Sequence, residues 1–348
     1  MKASFIGSAG VPNRYGGFES FVDNCGPLIS NQIESVKVTC DSALYDDKSV
    51  IYKNLHRVFL PLRSNGLVSI FHDLLAFVVV FNSSSHIIVL GVSGGPWFPF
   101  WRLTCDLFGK RLIVNIDGVE WRRKKFGATR RLILKFFDWL AQRFSHVVIY
   151  DNDALKFCIY RFAFSKAVMI PYSGDHVYRK DGIQIELGTA LTVCRIEPEN
   201  NIEMLIEGAL SSSISRYQII GNWNSSAYGR SLRLKYQGEN RLRLSDPIYD
   251  QNILCVLRES CEVYIHGHSV GGTNPSLVEM LFYDCRILCF DVSYNRSTAG
   301  NCAIYFTDPI SLSAAISEAP ALIFLRNEVR IKYAGSAIAK DYIEAMSR

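Results

Sequence analysis

Two hydrophobic periods alternate along this chain. Short runs of β-branched and aromatic residues at Lys2–Ile6, Val36–Cys40, His56–Leu60, His86–Val92 and Leu112–Ile116 predict buried strands. Between them, apolar residues at three- and four-residue spacing predict helices, with Phe18, Phe21 and Val22 on one side of the first and Gly66 to Phe81 forming a crossover. Ser145–Tyr150 and Ala167–Ile170 continue the series. A polar passage from Arg179 to Gly188 then lacks any period, and the domain linker is placed there. The alternation restarts with strands at Ala190–Cys194, Tyr217–Ile220, Leu242–Leu244, Val263–Ile265 and Arg286–Phe290, and residues 327–346 read as helix around Tyr333, Ile338, Tyr342 and Ile343. Strands alternating with helices imply an α/β fold with parallel sheets, one in each half.

Composition supports this reading. The 348 residues exceed one ordinary core, and 49% hydrophobic against 20% charged residues excludes a disordered chain. The net charge of +5 is too mild to imply nucleic acid. Ten cysteines are scattered without a C-x-x-C pair, so they are assigned as reduced core residues. No basic-then-apolar leader opens the sequence, and a cytoplasmic protein is expected. The most apolar run, from Gly66 to Phe81, is interrupted by His72 and Asp73 and is shorter than the roughly twenty residues that span a bilayer. A buried or interfacial helix is expected instead. There is no internal repeat and no low-complexity segment.

Candidate chemistry collects at strand ends. His266 to Glu279, reading HGHSVGGTNPSLVE, has the form of strand, glycine loop and helix start, with Thr273 and Asn274 as caps and Pro275 in the first turn. Such a turn either cradles an anion on its amides or is an ordinary connection. His266 and His268 lack a nearby third ligand, so no metal site is assigned. Arg195 ends a strand, where it either holds a phosphate by a forked pair of hydrogen bonds or pairs with Glu197 or Glu199. Gly221-Asn222-Trp223 follows another strand. Leu112–Ile116 ends in Asp117-Gly118-Val119-Glu120-Trp121, at the edge where parallel sheets gather ligands, although Asp117 is also a turn-former. Gly16-Gly17 opens the first helix without a G-x-G-x-x-G fingerprint, which argues against a nicotinamide enzyme. The pair either permits tight packing or bares the backbone to a substrate, with Glu19 in the first turn placed to meet a sugar hydroxyl. Further on, Ile133, Phe136, Phe137, Leu140 and Phe144 recur at helical spacing and are assigned to the core. Arg122, Arg123, Lys124, Lys125, Arg130, Arg131 and Lys135 stand before or beside them, as a solvated face or a surface for anionic lipid or a lipid pyrophosphate.

With these motifs in place, the sequence resembles the family-four retaining glycosyltransferases, and within them the bacterial rhamnosyltransferase-type branch of capsule and O-antigen biosynthesis. The resemblance rests on Tyr15-Gly-Gly-Phe-Glu, Asp117-Gly-Val-Glu-Trp, Arg195-Ile-Glu-Pro-Glu-Asn and the block from His268 to Leu277. It implies a GT-B type fold of two Rossmann-like domains facing across a cleft. Residues 1–180 would bind the acceptor, 181–326 the nucleotide sugar, and 327–348 would pack back on the first domain. It also implies a metal-independent enzyme without cofactor that moves a sugar, with a deoxyhexose such as rhamnose favoured, to a lipid-linked saccharide. Such an enzyme would lie peripherally at the inner face of the cytoplasmic membrane, touching anionic lipid and no nucleic acid.

Residue by residue, the resemblance assigns Asp117, Arg195 and Glu279 to catalysis, Glu279 as the acid on the nucleotide ribose. Gly271, Gly272, Thr273, Asn274, His268 and Asn222 fall to the donor, and Gly16, Gly17, Glu19 and Glu120 to the acceptor side or the diphosphate. Two departures stand out. Gly271 occupies the position of a first acid that the wider family carries eight residues before the second, and Asn200 stands near its phosphate-binding lysine, shifting that charge to Arg195 or to Lys235. The alternatives are a nucleotide-sugar epimerase of the same architecture, or a non-catalytic sugar-nucleotide-binding partner of the assembly machinery.

Overall fold

The computed structural model of the chain describes residues 1–14, 16–116, 121, 127–318 and 325–348. The chain divides into two compact units, the first made of Met1–Ser173 with Gly335–Arg348, the second of Gly174–Ala334.

The first unit runs β1 (Lys2–Ile6), α1 (Gly17–Ser30), β2 (Ser35–Asp41), β3 (Ile51–Tyr52), β4 (Leu55–Leu60), α2 (Ser69–Phe81), β5 (His86–Leu90), α3 (Phe98–Leu107), β6 (Arg111–Asn115), α4 (Ala128–Phe144), β7 (Val147–Tyr150) and β8 (Ala167–Met169). Its eight-stranded sheet has the order β3-β4-β2-β1-β5-β6-β7-β8, parallel throughout except for the β3–β4 pair. Central strands such as HIIVL and RLIVN are buried on both faces, as a helix-covered parallel sheet requires. The order reverses between β1 and β5, where Gly7 takes φ +89° and an added Cβ would meet the Leu90 carbonyl oxygen at 2.6 Å. Only glycine allows the two strand ends to approach so closely.

His72 and Asp73, which interrupt the apolar run of α2, are both buried and paired at 3.2 Å, and Ser93 donates to Asp73. The polar pair therefore ties α2 to the loop after β5. Among the described residues no helix is long and apolar enough to cross a membrane.

The second unit runs β9 (Glu186–Val193), α5 (Ile202–Leu210), β10 (Arg216–Ile220), α6 (Ala227–Lys235), β11 (Leu242–Ser245), α7 (Gln251–Ser260), β12 (Cys261–His266), α8 (Pro275–Met280), β13 (Arg286–Phe290), α9 (Ser293–Ala299), β14 (Ile304–Phe306), α10 (Pro309–Glu318) and α11 (Asn327–Lys332). Its six strands are all parallel, in the order β11-β10-β9-β12-β13-β14. That is the doubly wound 3-2-1-4-5-6 arrangement, with its reversal between β9 and β12.

The helical tail breaks at Tyr333-Ala334, and α12 (Gly335–Ser347) packs in the first unit. There Tyr342 stacks on Phe21 with centroids 4.4 Å apart, and Asn115 Nδ2 donates to its hydroxyl at 2.8 Å. The passage 179–188, expected as a linker, lies inside the second unit instead. Glu259 on α7 accepts the backbone amides of Asp181, Gly182 and Ile183 at 3.0, 3.0 and 3.2 Å, which satisfies a segment too polar to pack as a core strand.

Candidate functional site

In an open parallel sheet, ligands bind beyond the carboxyl ends of the strands where their order reverses. In the second unit that point lies at Val193–Arg195 and His266–Gly267. Arg195 follows β9 with its side chain half-exposed, and its Nη1 lies 4.0 Å from Glu197 Oε1, a loose pairing that leaves the guanidinium available to an anion. The turn that carries it is braced from two sides. Asn222 Oδ1 accepts the amide of Ile196 at 2.7 Å, and Asn200 Nδ2 donates to the Arg195 carbonyl at 2.7 Å.

Asn200 does more than replace a lysine. It is buried, and its Oδ1 meets His268 Nδ1 at 2.8 Å; because its amide nitrogen already donates, the oxygen accepts, which puts the proton of His268 on Nδ1. Ser269 completes the junction by donating its amide and hydroxyl to the Glu199 carbonyl at 2.9 and 2.7 Å. The loops after β9 and β12 are thus knitted together, with His268 held in one orientation. His266, two residues earlier at the end of β12, is buried with its Nε2 lacking any hydrogen-bond partner. Burial, and then the neighbouring His268, push its pKa down to about 3, so the ring is neutral near pH 7.

The glycine loop follows. Gly271 has φ +143°, and a Cβ added there would come within 2.9 Å of His268 Nε2. A side chain at this position therefore meets both an unfavourable backbone conformation and the His268 ring. We expect Gly271→Ala to lower stability by about 1–3 kcal/mol, since the ring must rotate off Asn200 to make room. Thermal unfolding of the two proteins checks this, and equal melting temperatures would refute it. Asn274 caps α8, its Oδ1 accepting the Ser276 amide at 3.0 Å. The helix begins at Pro275 and ends at Met280, so it supplies only a short dipole.

Glu279 on α8 is buried and ion-paired with Arg258 of α7, and His176 Nε2 stands 3.5 Å from its Oε1. Burial pushes this carboxyl up, but Arg258 and His176 together outweigh that and hold it below the ordinary carboxylate range. Neither Arg258 nor His176 carries a sequence signal, because their helix and turn meet Glu279 only in three dimensions. Arg258 Nη1 is itself buried without a partner.

Several expected contacts are spent elsewhere. Asn222 donates to Ser225 Oγ at 2.8 Å as well as bracing Ile196, so its amide serves the loop rather than a donor. Lys235 pairs with Glu203 at 2.5 Å and Glu207 at 3.9 Å, across from α5. In the first unit, Glu19 is buried and its Oε1 accepts the Ala9 amide at 2.6 Å, so it pins the glycine-rich loop after β1 instead of facing a sugar. A Cβ at Gly16 would lie 3.1 Å from Glu19 Oε2 and one at Gly17 3.4 Å from the Tyr172 ring, which fits the packing reading of that pair. Asp117 and Glu120 lie outside the described residues. Trp121 is described, and its Nε1 donates to the buried Asp138 at 3.3 Å. Among the described residues, Asp181, Cys255 and Glu259 bring ligand atoms within 4.8 Å of one another, but the Glu259 carboxylate already accepts three amides.

Comparison with known proteins adds a family. The family described as "Domain of unknown function (DUF1972)" matches residues 1–175, half of the chain. The chain belongs to this family. Comparison of the sequence with curated proteins gives no match. Solved structures are similar across both units of this DUF1972 protein. A sucrose-phosphate synthase from Thermosynechococcus elongatus superposes with a TM-score of 0.77 at 14% identity, over 99% of this chain and 97% of its own. An α,α-trehalose-phosphate synthase (UDP-forming) from Burkholderia xenovorans, in complex with glucose-6-phosphate, gives 0.66 at 11% identity over 99% of each chain. The pneumococcal O-GlcNAc transferase GtfA, in complex with UDP and GlcNAc, gives 0.57 at 13% identity over 79% of this chain and 59% of that one. At such identities the likeness speaks to fold. The fold is the expected one, α/β and GT-B in type, with two Rossmann-like parallel sheets.

Proposed function

We propose that this DUF1972 protein is a metal-independent, retaining glycosyltransferase whose second unit holds a nucleotide-sugar donor. One observation carries the reading: at the reversal point of the second sheet, an available guanidinium, an oriented histidine and a glycine loop come together at the ends of β9 and β12. Leaving-group stabilisation is the main demand of such a transfer, because charge grows on the departing diphosphate while the sugar becomes oxocarbenium-like. Arg195 is assigned to that diphosphate, with the amides of Gly272, Thr273 and Asn274. Glu279 is assigned to the ribose and Asp117 to the reacting sugar. The fold-mates named above include a UDP-forming enzyme and a transferase holding UDP and GlcNAc, which favours a nucleoside diphosphate as the leaving group.

The finer reading follows the resemblance to the rhamnosyltransferase-type branch. The donor is a deoxyhexose such as rhamnose, and the acceptor is a lipid-linked saccharide of capsule or O-antigen assembly. The protein works at the inner membrane face without nucleic acid. The glycine at 271, where an acid would collide with His268, is consistent with a donor that needs no carboxylate contact at that point.

The test is nucleoside diphosphate release from a panel of nucleotide sugars in the presence of a lipid-pyrophosphate-linked monosaccharide. One donor should release the diphosphate with the acceptor present. Arg195→Ala should lower that rate by about 10²-fold or more, with an unchanged melting temperature, because the side chain is half-exposed. Silence from every donor, or full activity of the variant, would defeat the proposal.

A further inference from the structure

Helices α2 and α3 lie side by side in the first unit, and three aromatic contacts record how they pack. Phe71 meets Trp97 just before α3, Phe77 stacks on Trp101, and Phe81 abuts Phe108 edge-on, with ring centroids 6.5, 4.9 and 5.4 Å apart. The pairs advance together along both segments, so the two helices run parallel. Each turns one side inward, with Ala76, Phe77 and Val80 buried on α2 and Phe98, Trp101 and Cys105 buried on α3.

The outward side is apolar as well. Phe71 and Val78 on α2, Phe100, Leu103 and Leu107 on α3, and Phe108 just after it are each between 56% and 72% exposed. On a helix turning by about 100° per residue, Phe71 and Val78 share one sector of α2, and Phe100, Leu103 and Leu107 share one sector of α3. The run from Gly66 to Phe81, expected as a buried or interfacial helix, is thus buried on one side only. Its two polar interruptions, His72 and Asp73, lie on the buried side, which leaves the outward side of α2 without a charge. On α3 the charges are already matched: Arg102 donates to Asp106 at 2.7 Å and to the Ser145 carbonyl at 3.2 Å, and His146 meets Asp106 at 2.8 Å. Together with Val68 and Val79, which are nearly half-exposed, the outward side chains leave roughly 700 Å² of apolar surface in water. The largest apolar patch of an ordinary monomer is about 300–600 Å².

We propose that this face joins two copies of the chain, α2 and α3 of one packing on α2 and α3 of the other about a two-fold axis. A stable interface buries about 800 Å² per partner, and the apolar face supplies nearly all of that, with its polar margin providing the rest. Its composition also fits, because the centre of a protein interface is poor in charge and rich in aromatic side chains. A two-fold axis sets a surface against itself, so the surface must tolerate its own copy. This one does, since no exposed charge within it would meet its like. Two parallel helices from each copy offer ridges and grooves for close packing. A bilayer surface fits less well. Helices that lie in a membrane interface carry lysine and arginine beside the apolar strip, whereas the one arginine or lysine within α2 and α3, Arg102, is committed to Asp106 and a carbonyl.

The inference stands apart from the transferase reading, because association is measured without turnover. Analytical ultracentrifugation of the full-length protein should show twice the chain mass at about 10 µM, a concentration at which an interface of ordinary quality is formed. Val78→Asp/Leu103→Asp places two carboxylates of each copy in the face and should weaken association about a hundredfold or more. Its circular dichroism spectrum should match that of the wild type, since both side chains point away from the unit. Leu107→Asp alone, at the most exposed of these positions, should weaken association about tenfold. Ile310→Asp, at an exposed apolar position of the second unit, should leave association unchanged. A wild type that stays monomeric at about 100 µM, a dimer that neither Val78→Asp/Leu103→Asp nor Leu107→Asp weakens, or a dimer that Ile310→Asp dissociates would each overturn the proposal. So would a monomeric wild type that floats with phosphatidylcholine–phosphatidylglycerol vesicles while Leu107→Asp does not, which would give the face to a bilayer.

Discussion

Arg258→Ala is expected to destabilise the second unit by about 3–5 kcal/mol, the usual effect of removing one partner from a buried ion pair. Glu279 and Arg258 have side chains only 11% and 4% exposed, so water cannot replace the lost cation. His176 remains, but at 3.5 Å and on the rim of the pair it offers only part of the compensation. The lowered pKa of Glu279 would then reverse, since its largest cause, burial, raises it and Arg258 is the first of the opposing causes. Chemical denaturation of the variant measures the effect.

The same pair separates structure from function. Replacing both partners by apolar residues, as in Arg258→Met/Glu279→Leu, removes two buried charges together and should recover most of the lost stability. If Glu279 also contacts the donor ribose, the stable double variant stays inactive in diphosphate release. Recovered activity would show that Glu279 serves only to hold α7 against α8. Arg258 Nη1, buried without a partner, marks this cluster as more than a satisfied packing contact.

How much of this was legible in the sequence depends on the range of the interaction. Strands such as Lys2–Ile6 and Arg286–Phe290 fall where their apolar runs predict, because a strand buried on both faces writes its own signature locally. The candidate site was legible in outline for a similar reason, since glycine loops and charged residues after strands are local features and the topology places strand ends together. What the residues there do to one another was not legible. In the sequence Asn200 is only the place of an absent lysine, while its side chain orients His268 across 68 positions of sequence. Lys235 has the charge of a phosphate base, but α5 presents Glu203 and Glu207 to it. Glu19 sits in the first helical turn as expected, but the Gly7–Gly10 loop folds back over it. In α4 the period identified a face without saying what covers it. Covering is a property of neighbouring elements, and Ile133 and Phe136, assigned to the core by their spacing, are 47% and 55% exposed.

Acid should weaken the second unit well before its carboxylates are protonated, and His266 is the expected origin. Its pKa is about 3 in the folded protein against 6.5 for an ordinary histidine, through burial first and His268 second. A depressed folded value means that the unfolded chain binds the proton more readily, so the stability is complete above pH 6.5 and declines as pH falls toward 3. The slope is about 1.4 kcal/mol per pH unit, and the loss by pH 3 is roughly 4 kcal/mol from this ring alone. Glu279, Asp291 and Asp308, whose carboxyls are also held below their ordinary values, add losses of the same sign, but only once the pH falls through the carboxylate range. The window between pH 6.5 and 5 therefore separates His266 from these carboxylates, and the comparison with a variant separates it from the other histidines of the unit. His266→Phe removes the titration and the orphaned Nε2 in a ring of similar shape, so its denaturation midpoint should stay nearly level across that window while that of the wild type declines. Parallel pH profiles of the two proteins would place the acid sensitivity elsewhere. A flat profile accompanied by unchanged diphosphate release would assign His266 to the packing of β12, and a flat profile with lost release would bring its Nε2 into the donor site at the end of that strand.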